Sequence, residues 1–271
     1  MKNAIKIFLK KIVLLLSSLK YFRYIFFEIT NTVANYTSKS YCRGLEIIFF
    51  VPNALTYFRM KTIEIKEPET LDWIDSFDKG AIFFDIGANI GVFSLYAAKA
   101  RECEIFSFEP SVFNLEFLTK NININNLTEQ ITIVPLSLYN KTRRNYLDVS
   151  NPVWGGAFVG TSENKLKSRG FGFYTYSISL DDFIEVYGVP TPDYIKIDVD
   201  GVESLILQGG IKILSKVKSI LIEVDDSNKT EKDKIESILK QLGFNLKIKA
   251  HSDMVEKSEH FNVYNQIWSR N

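Results

Sequence analysis

Cysteine and histidine are scarce in this 271-residue sequence, which contains two of each. Cys42 and Cys103 belong to no motif, which argues against a disulfide framework and fits a reducing compartment. His251 and His260 both lie near the C-terminus, so a catalytic dyad based on histidine would have to draw on that end of the chain. The sequence also lacks repeats and low-complexity tracts, and its 46% hydrophobic and 24% charged residues are those of an ordinary globular protein.

Long apolar runs are also absent. A transmembrane helix needs about 20 consecutive apolar residues, and no run in this sequence is that long. The uncharged run Ile12–Leu19 is short, and no A-x-A-like cleavage site follows it, as it would in a secretory signal peptide. Apolar residues recur at helical spacing before it, and six Lys/Arg and no acidic residue occur up to Arg23. We therefore predict a basic amphipathic helix, which contacts an anionic membrane surface, packs on the main domain or forms a dimer surface. A cleaved signal peptide is the remaining alternative.

Charge is divided unevenly along the chain. Residues 1–66 contain eleven Lys/Arg and three Asp/Glu, whereas the rest of the chain contains 22 Lys/Arg and 29 Asp/Glu. This asymmetry predicts a basic, helical N-terminal segment over residues 1–66 and a mildly acidic globular domain over residues 67–271. No nucleic acid is expected as a partner, because the acidic part of the chain has no basic stripe.

Short apolar runs alternate with amphipathic stretches from about Leu71 onward. Five of these runs are AIFFDIG, EIFSFEP, ITIVPLSL, YIKIDVD and SILIEVD. Alternating strands and helices predict an α/β fold, a Rossmann-like doubly wound sheet that is mostly parallel and covered on both faces. Two further strands, NLKIKA and NVYNQIW, are predicted near the C-terminus. Residues 139–192 are predicted to be an irregular insertion with one helix, LDDFIEVYG.

The first run ends in D-I-G-A-N-I-G, an aspartate at the end of a strand and a turn of small residues into a helix. It lacks the G-x-x-x-x-G-K-[ST] spacing of a phosphate-binding P-loop and the G-x-G-x-x-G spacing of a dinucleotide site. Such a turn lets the backbone approach a ligand closely. Asp85 would set a carboxylate beside that ligand, which suits a cation or a molecule with hydroxyl and ammonium donors. S-adenosylmethionine has both.

Further acidic residues lie at the ends of two other predicted strands. Glu109 follows Asp85 by 24 positions, at a place where a doubly wound fold can accept the hydroxyls of an adenosine ribose. In the fourth run, strand alternation puts Lys196, Asp198 and Asp200 on one side, near the carboxyl end where open α/β sheets place their sites. The structural alternative is an ion pair between Lys196 and Asp198, with Asp200 favouring a helix N-terminus.

These motifs resemble the FkbM family of methyltransferases, a branch of the class I S-adenosylmethionine-dependent enzymes. The resemblance extends over roughly residues 71–270 and rests on five segments in order. They are FDIGANIGVFSLYAAK (84–99), FEPSVFNLEFLTKNININN (108–126), SISLDDF (177–183), DYIKIDVDGVESLILQGG (193–210) and ILIEVD (220–225). The resemblance implies a seven-stranded sheet whose last strand is antiparallel.

The resemblance also implies where the cofactor S-adenosylmethionine binds. The turn after the first strand would wrap its methionine part, through Asp85, Gly87, Ala88, Asn89 and Gly91. Glu109 would hold the ribose, and Ser137 would border the adenine at a position where the family tends to have alanine. The family's threonine before Leu-Asp-Asp is Ser179 here, which can still cap the following helix.

The resemblance favours O-methylation, which requires an aligned acceptor and removal of its proton. Because the core motifs contain no histidine, Asp198 is the predicted catalytic general base, provided that burial or a neighbouring acid raises its pKa. A bound Mg²⁺ that lowers the pKa of the hydroxyl is the alternative, with acids at the ends of the fourth and fifth strands as ligands. Ordinary strand-end acids give the same pattern, so no metal site is predicted.

The predicted acceptor is a sugar hydroxyl in a glycan or glycoconjugate, with residues 139–192 as the substrate lid. Aromatic residues that suit sugar rings in this lid are Trp154, Phe158, Phe171, Phe173, Tyr174 and Tyr176. A lipid-like or small natural-product hydroxyl is the alternative acceptor, and a binding protein without catalysis is the alternative class. We expect a cytoplasmic protein. If the N-terminal segment contacts a membrane, the protein lies at the inner face of that membrane, and if the segment forms a dimer surface, the protein is a homodimer.

Overall fold

A computed structural model describes residues 2–149, 152–156, 159–162, 171–258 and 260–270. Within these residues the backbone forms thirteen strands and twelve helices. The strands are β1 (Thr37–Cys42), β2 (Leu45–Phe50), β3 (Ile82–Ile86), β4 (Glu104–Phe108), β5 (Ile131–Val134), β6 (Ser137–Leu138), β7 (Arg143–Val149), β8 (Val159–Ser162), β9 (Phe171–Ile178), β10 (Tyr194–Ile197), β11 (Ser219–Asp225), β12 (Asn245–Ala250) and β13 (Val263–Ser269). The helices are α1 (Lys2–Ser17), α2 (Lys20–Ala34), α3 (Ala54–Lys61), α4 (Ile63–Lys66), α5 (Pro68–Asp75), α6 (Val92–Arg101), α7 (Val112–Ile124), α8 (Leu180–Tyr187), α9 (Glu203–Gln208), α10 (Ile211–Leu214), α11 (Lys229–Gln241) and α12 (Asp253–Glu256).

Seven strands form the central sheet, in the order β12-β13-β11-β10-β3-β4-β5. The strands from β11 to β5 are parallel to one another, and β13 is antiparallel to both of its neighbours. The Rossmann-like α/β fold with an antiparallel last strand is thereby confirmed. The chain runs from β3 outward to β5 and returns through β10 on the other side of β3. The carboxyl ends of β3 and β10 therefore flank the crevice in which such sheets bind ligands.

Both faces of the central sheet are covered, which explains the uninterrupted apolar runs of its inner strands. Phe83 and Leu221 belong to the core on one face, together with α6 and α7. Phe84 and Ile197 belong to the core on the other face, together with α8 and α9. Lys196 is the register partner of Leu221, so its side chain points to the first face, which also receives the N-terminal elements.

Residues 37–66 pack against the first face of the sheet. The β1–β2 hairpin places Ile47 and Phe49 in the same core as Met60 of α3, and all three side chains are fully buried. The division of the chain at residue 66 stays a prediction. In the structure, a single apolar core contains residues from both sides of it.

The insertion over residues 139–192 is not irregular, contrary to the expectation from sequence. A second sheet forms there in the order β6-β9-β7-β8, with β7 antiparallel to β8 and β9. The aromatic run FGFYTYSI suits a strand, but its partner RRNYLDV is too polar to stand out as one. The predicted helix LDDFIEVYG forms α8, and the hydroxyl of Ser179 caps it by accepting the N–H of Asp182 at 3.1 Å.

Two helices, α1 and α2, begin the segment over residues 1–66 that was predicted to be helical, but the β1–β2 hairpin follows them, so that segment is not helical throughout. No described side chain of residues 5–34 is buried. Large apolar side chains are among the most exposed, with Phe8 at 63%, Leu15 at 71% and Tyr21 at 82%. In the part of the chain that the structure describes, no helix is both long and apolar enough to cross a membrane. Within the described residues, the apolar side chains of α1 and α2 therefore stay exposed.

Replacing Asn121 by alanine is expected to lower the free energy of unfolding. The buried amide of Asn121 accepts the N–H of Phe50 at 2.8 Å and donates to the carbonyl of Ile90 at 2.9 Å, which ties β2 to the turn before α6. Its loss leaves two backbone groups unpaired, at about 1–3 kcal/mol each. Urea unfolding followed by circular dichroism measures the change. Thr119→Ala, exposed on the same helix, is the control at less than about 0.5 kcal/mol. An equally small effect of Asn121→Ala would contradict the prediction.

Candidate active site

A cavity of about 640 Å³ opens at the carboxyl ends of β3, β4, β10 and β11. Its volume lies within the range of about 300–1,000 Å³ that is typical of ligand pockets. The predicted site residues that line it are Gly87, Asn89, Glu109, Ser137 and Asp198. The other predicted site residues are buried in the strand and turn behind it, and they are Asp85, Ala88 and Gly91. The structure therefore brings the whole predicted set together at one edge of the sheet.

The backbone fixes the turn from Gly87 to Gly91. Gly87 has a φ of +87°, and a Cβ there would lie 1.9 Å from the carbonyl oxygen of Asp198. Only glycine therefore allows the end of β3 to approach the end of β10 this closely. The N–H groups of Gly87 and of the next residue both donate to the carbonyl of Phe108 at 3.0 Å, which ties the turn to β4. Gly91 closes the turn with a φ of +89°, and α6 begins directly after it.

Glu109 lies directly after β4, under the turn. Its carboxylate accepts the N–H of Asn89 at 2.9 Å and the N–H of Ser111 at 2.8 Å. Burial raises the pKa of Glu109 to about 7, although these two hydrogen bonds oppose the shift. A carboxylate has about four acceptor sites, and the side chain of Asn114 also interacts with this one, so the group can still accept a ribose hydroxyl. Its contact with a ribose stays a prediction.

Asp85 is buried behind the turn, at 1% exposure. One carboxylate oxygen accepts the hydroxyl of Ser94 at 2.5 Å, and Lys196 is its register neighbour on β10. Burial raises the pKa of Asp85, and the charge of Lys196 opposes this shift. Among the described residues, neither the buried Oδ1 atom of Asp85 nor that of Asn89 has a hydrogen-bond partner. Asp85 at the end of β3 and Asn89 in the turn therefore each have one acceptor oxygen that lacks a donor from these residues.

These two unpaired oxygens indicate which ligand the turn can hold. Phosphate brings negative charge and acceptor oxygens, which two neighbouring carboxylates disfavour. S-adenosylmethionine brings an ammonium group, ribose hydroxyls and a positive sulfur, which suit unpaired acceptors and carboxylates. The residues present therefore fit this cofactor. The contacts of Asp85 and Asn89 with its methionine part and of Glu109 with its ribose stay predictions.

Ser137 begins β6 and lines the same cavity, next to Leu136 and Leu138. Its hydroxyl shares a hydrogen bond with the hydroxyl of Ser177 at 3.0 Å. Apolar side chains on either side of Ser137 suit the faces of an adenine ring. Its contact with adenine stays a prediction.

Lys196 and Asp198 form an ion pair, with 2.5 Å between Nζ and Oδ2, as the motif indicated. The side chain of Lys196 is 1% exposed. Burial alone would lower the pKa of Lys196, but the charges of Asp198, Glu67 and Asp85 raise it. Burial alone would likewise raise the pKa of Asp198, but Lys196 and Lys66 hold it below its usual value.

The condition set for Asp198 as general base is therefore not met, because two lysines lower its pKa instead of burial raising it. Its role as the base stays a prediction. Glu223 occupies the equivalent position on β11, the neighbouring strand, and lines the same cavity. Burial and the charges of Asp198 and Glu67 raise the pKa of Glu223 well above its usual value. Glu223 is thus a second candidate for the proton acceptor.

The remaining acids of the cavity are held by the protein itself. Glu203 is buried, which raises its pKa to about 8, and it accepts the N–H of Gly201 at 3.2 Å. Glu69 accepts the side-chain amide of Asn265 at 2.7 Å. Among the described residues, no three His, Cys, Asp or Glu side chains come together as potential metal ligands.

Both histidines line the cavity from the C-terminal part of the chain. In His251, Nδ1 lies 3.0 Å from the carbonyl oxygen of Val263 and Nε2 lies 2.6 Å from a carboxylate oxygen of Glu256. The ring stacks on Tyr264 with 4.2 Å between the ring centroids. Both ring nitrogens of His251 are therefore engaged by neighbours.

Several cavity residues were missed by sequence reasoning. Arg59, Lys66 and Glu67 reach the cavity from α3, α4 and the start of α5. Asn114 of α7 donates to the carbonyl of Gly156 at 3.1 Å and thereby holds the insertion against the site. The paired glycines of the insertion were a usable signal for this contact. Nothing local marks Arg59 or Lys66, because tertiary packing alone brings them to the site.

Where the structure describes them, the aromatic residues suggested for a lid lie away from the cavity. Trp154 packs against Phe117 with ring centroids 5.3 Å apart, and Phe171 packs against Phe113 at 5.6 Å. The described members of this set do not line the cavity. Phe158 lies outside the described residues. The lid role of the insertion stays a prediction.

A family model and several known proteins are similar to this chain. The family described as "Methyltransferase FkbM domain" matches residues 85–246. The hexuronic acid methyltransferase AglP of Haloferax volcanii is 26% identical over 181 residues, which are 67% of this chain and 71% of that protein. The structure of methyltransferase FkbM from Methylobacillus flagellatus KT matches with a TM-score of 0.52 and 18% identity, over 92% of this chain and 59% of that one. The precorrin-6y C5,15-methyltransferase of Geobacter metallireducens GS-15 matches with a TM-score of 0.46 and 14% identity, over 76% of this chain and 87% of that one.

The affinity for S-adenosylhomocysteine is expected to rise between pH 6 and pH 8. Glu109 has a pKa of about 7 and accepts ribose hydroxyls best when ionised, so affinity should be about tenfold lower at pH 6 than at pH 8. Isothermal titration calorimetry measures it. Glu109→Gln should bind weakly at both values and lose the dependence, whereas Glu116→Gln, exposed on α7, should behave as wild type. A wild-type affinity that does not change with pH would contradict this role of Glu109.

Proposed function

Because this chain belongs to the FkbM methyltransferase family, we propose that it transfers a methyl group from S-adenosylmethionine to a sugar hydroxyl in a glycan or glycoconjugate. One observation carries the proposal. The turn with the unpaired Oδ1 of Asn89 and the carboxylates of Asp198 and Glu223 line the same cavity, and the unpaired Oδ1 of Asp85 lies behind that turn. A relative named for its action on a hexuronic acid supports a sugar as the acceptor.

The residues of the cavity have two tasks in this reaction, to hold the donor and to prepare the acceptor. The bound donor supplies a methyl group on a positively charged sulfur, which an acceptor oxygen attacks in line. The turn and Glu109 hold the donor in a fixed place, because their backbone hydrogen bonds leave them little freedom. The acceptor must then be aligned, kept from water and relieved of its proton.

Asp198 is the proposed proton acceptor. Lys196 holds one of its oxygens at 2.5 Å, and no described residue bonds to the other one. An ionised carboxylate with a fixed orientation takes up a proton only as the hydroxyl becomes acidic during attack. Glu223 is the alternative proton acceptor. Its raised pKa makes its ionised form a stronger base, although less of that form is present at neutral pH.

With tritiated-methyl S-adenosylmethionine, the purified protein is expected to label the glycan fraction of its host in preference to the lipid extract. Asp198→Asn is expected to lower kcat by about 10²–10⁴-fold while changing the affinity for S-adenosylhomocysteine less than about threefold. Asparagine is preferred to alanine because it keeps an acceptor beside Lys196, whose unpaired charge would cost about 3–5 kcal/mol.

Glu223→Gln is the comparison variant for this experiment. Normal turnover of Asp198→Asn, with loss of turnover in Glu223→Gln, would move the proton acceptor to Glu223. Labelling confined to the lipid extract would overturn the sugar acceptor. Absence of labelling in every fraction, with normal binding of S-adenosylhomocysteine, would contradict the catalytic proposal.

We also propose that α1 and α2 contact an anionic membrane surface. Residues 2–34 contain six Lys/Arg and one acidic residue, Glu28. Their apolar side chains are exposed on both helices, at 63% for Phe8 and 59% for Phe27. Basic and apolar side chains on one helical segment are the pattern of helices that lie in the interface of a bilayer.

Vesicle co-sedimentation tests this contact with the full chain. Binding to vesicles that contain phosphatidylglycerol is expected to exceed binding to phosphatidylcholine vesicles and to weaken with salt. Lys10→Glu with Lys11→Glu should weaken it at least tenfold, since each basic residue contributes about 1 kcal/mol at an anionic surface. Lys234→Glu in α11 is the control. Equal binding by the double variant and wild type would contradict the proposal.

A further inference from the structure

Arg59 is the cationic side chain of the cavity whose hydrogen-bonding capacity is least used. It lies in the last turn of α3 and lines the cavity. Its Nε donates to the carbonyl of Gly155 at 2.7 Å, and within the described residues its four other N–H groups have no partner. A guanidinium presents these donors as a rigid fork, which matches a carboxylate with two parallel hydrogen bonds.

The position of Arg59 is fixed by the parts of the chain around it. The side chain of Asn53 caps α3 by accepting the N–H of Thr56 at 2.8 Å, and it donates to the carbonyl of Trp154 at 2.9 Å. The turn that contains Trp154 and Gly155 is therefore bound to α3 at two points, by Asn53 at the start of the helix and by Arg59 in its last turn. A Cβ on Gly155 would lie 2.9 Å from the side chain of Thr56, so this turn lies directly against α3.

The same turn is connected to the predicted cofactor site. The carbonyl of Gly156 accepts the side-chain amides of Asn89 at 2.9 Å and Asn114 at 3.1 Å. The charge of Arg59 also lowers the pKa of both Glu109 and Asp198, although burial is the largest influence on each. Arg59 therefore lies within electrostatic reach of the predicted ribose ligand and of the predicted base.

The carboxylates near Arg59 already have other partners. Asp198 pairs with Lys196 at 2.5 Å, and Glu67 pairs with Lys66 at 2.6 Å. Glu109 accepts two backbone N–H groups. A cation without an ion-pair partner among the described residues, in a partly buried position, favours an anionic ligand, because the attraction is stronger there than in water.

The acidic surroundings also limit the charge of that anion. Asp198 and Glu67 line the same cavity and would repel the two negative charges of a phosphate group. A carboxylate carries only one negative charge, and its two oxygens lie in a plane and can accept two parallel hydrogen bonds from the guanidinium group. Resting on the proposed function, we propose that Arg59 is a carboxylate-binding residue of this cavity. The carboxylate comes either from the methionine part of the cofactor or from an acidic sugar acceptor.

Calorimetry tests whether Arg59 binds the carboxylate of the cofactor. Wild-type protein is titrated with S-adenosylhomocysteine and with S-adenosyl-3-thiopropylamine, which is the same molecule without its carboxylate. If Arg59 binds this carboxylate, wild type prefers S-adenosylhomocysteine at least tenfold, and Arg59→Met reduces that ratio to between one and two. Lys61→Met removes an exposed charge from the same helix and is expected to keep the wild-type ratio. Thermal melts of each variant verify that it is folded.

Enzyme kinetics with different acceptors test whether Arg59 binds the carboxylate of an acidic sugar. If Arg59 binds the acceptor, Arg59→Met leaves the calorimetric ratio unchanged and raises KM at least tenfold for a hexuronate acceptor, but not for the matching neutral hexose. The proposal is overturned if Arg59→Met changes neither discrimination. If wild type binds S-adenosylhomocysteine but methylates no sugar, the proposed function fails and the calorimetric ratio alone decides the role of Arg59. A wild type that binds no S-adenosylhomocysteine overturns both.

Discussion

The buried ammonium group of Lys196 is the constraint on which the rest of the site depends. At 1% exposure, its charge would destabilise the fold by several kcal/mol without anionic partners. Asp198 follows it by two residues on β10, Asp85 is its register neighbour on β3, and Glu67 adds a charge from the start of α5. Satisfying one lysine therefore sets the ends of two strands and one helix relative to each other, and the cavity opens between these ends.

This arrangement also requires β3 and β10 to approach closely where they end. The carbonyl of Asp198 lies where a side chain of residue 87 would begin, so the first glycine of D-I-G-A-N-I-G serves the packing of the strands as much as ligand binding. The turn was predictable because its signal is local, with an aspartate, two glycines and Glu109 at fixed spacing. The inner strands were predictable for a similar reason, since strands buried on both faces read as short apolar runs.

The parts that escaped prediction depend on contacts that are distant in the sequence. β7 is polar along much of its length, and it is a strand because β9 and β8 pair with it on both sides. Arg59 lies in a short helix whose sequence looks like that of an ordinary surface helix. Its place at the cavity comes from a hydrogen bond to a residue 96 positions later. Charge composition had assigned residues 1–66 to a separate segment, yet apolar side chains on β2 and α3 insert into the core beside α7.

Two lysines act on the acids of the cavity with different strength. Lys196 and Lys66 hold the pKa of Asp198 below its usual value, whereas on Glu223, one strand away, burial and the charge of Asp198 outweigh the same two lysines and raise its pKa. Two neighbouring carboxyl groups are thus pushed in opposite directions, which is how proteins assign different proton-transfer roles to the same chemical group. Because each charge influences the other, the two acids titrate as a pair, and a pH profile of the proposed reaction would report the pair rather than either residue alone.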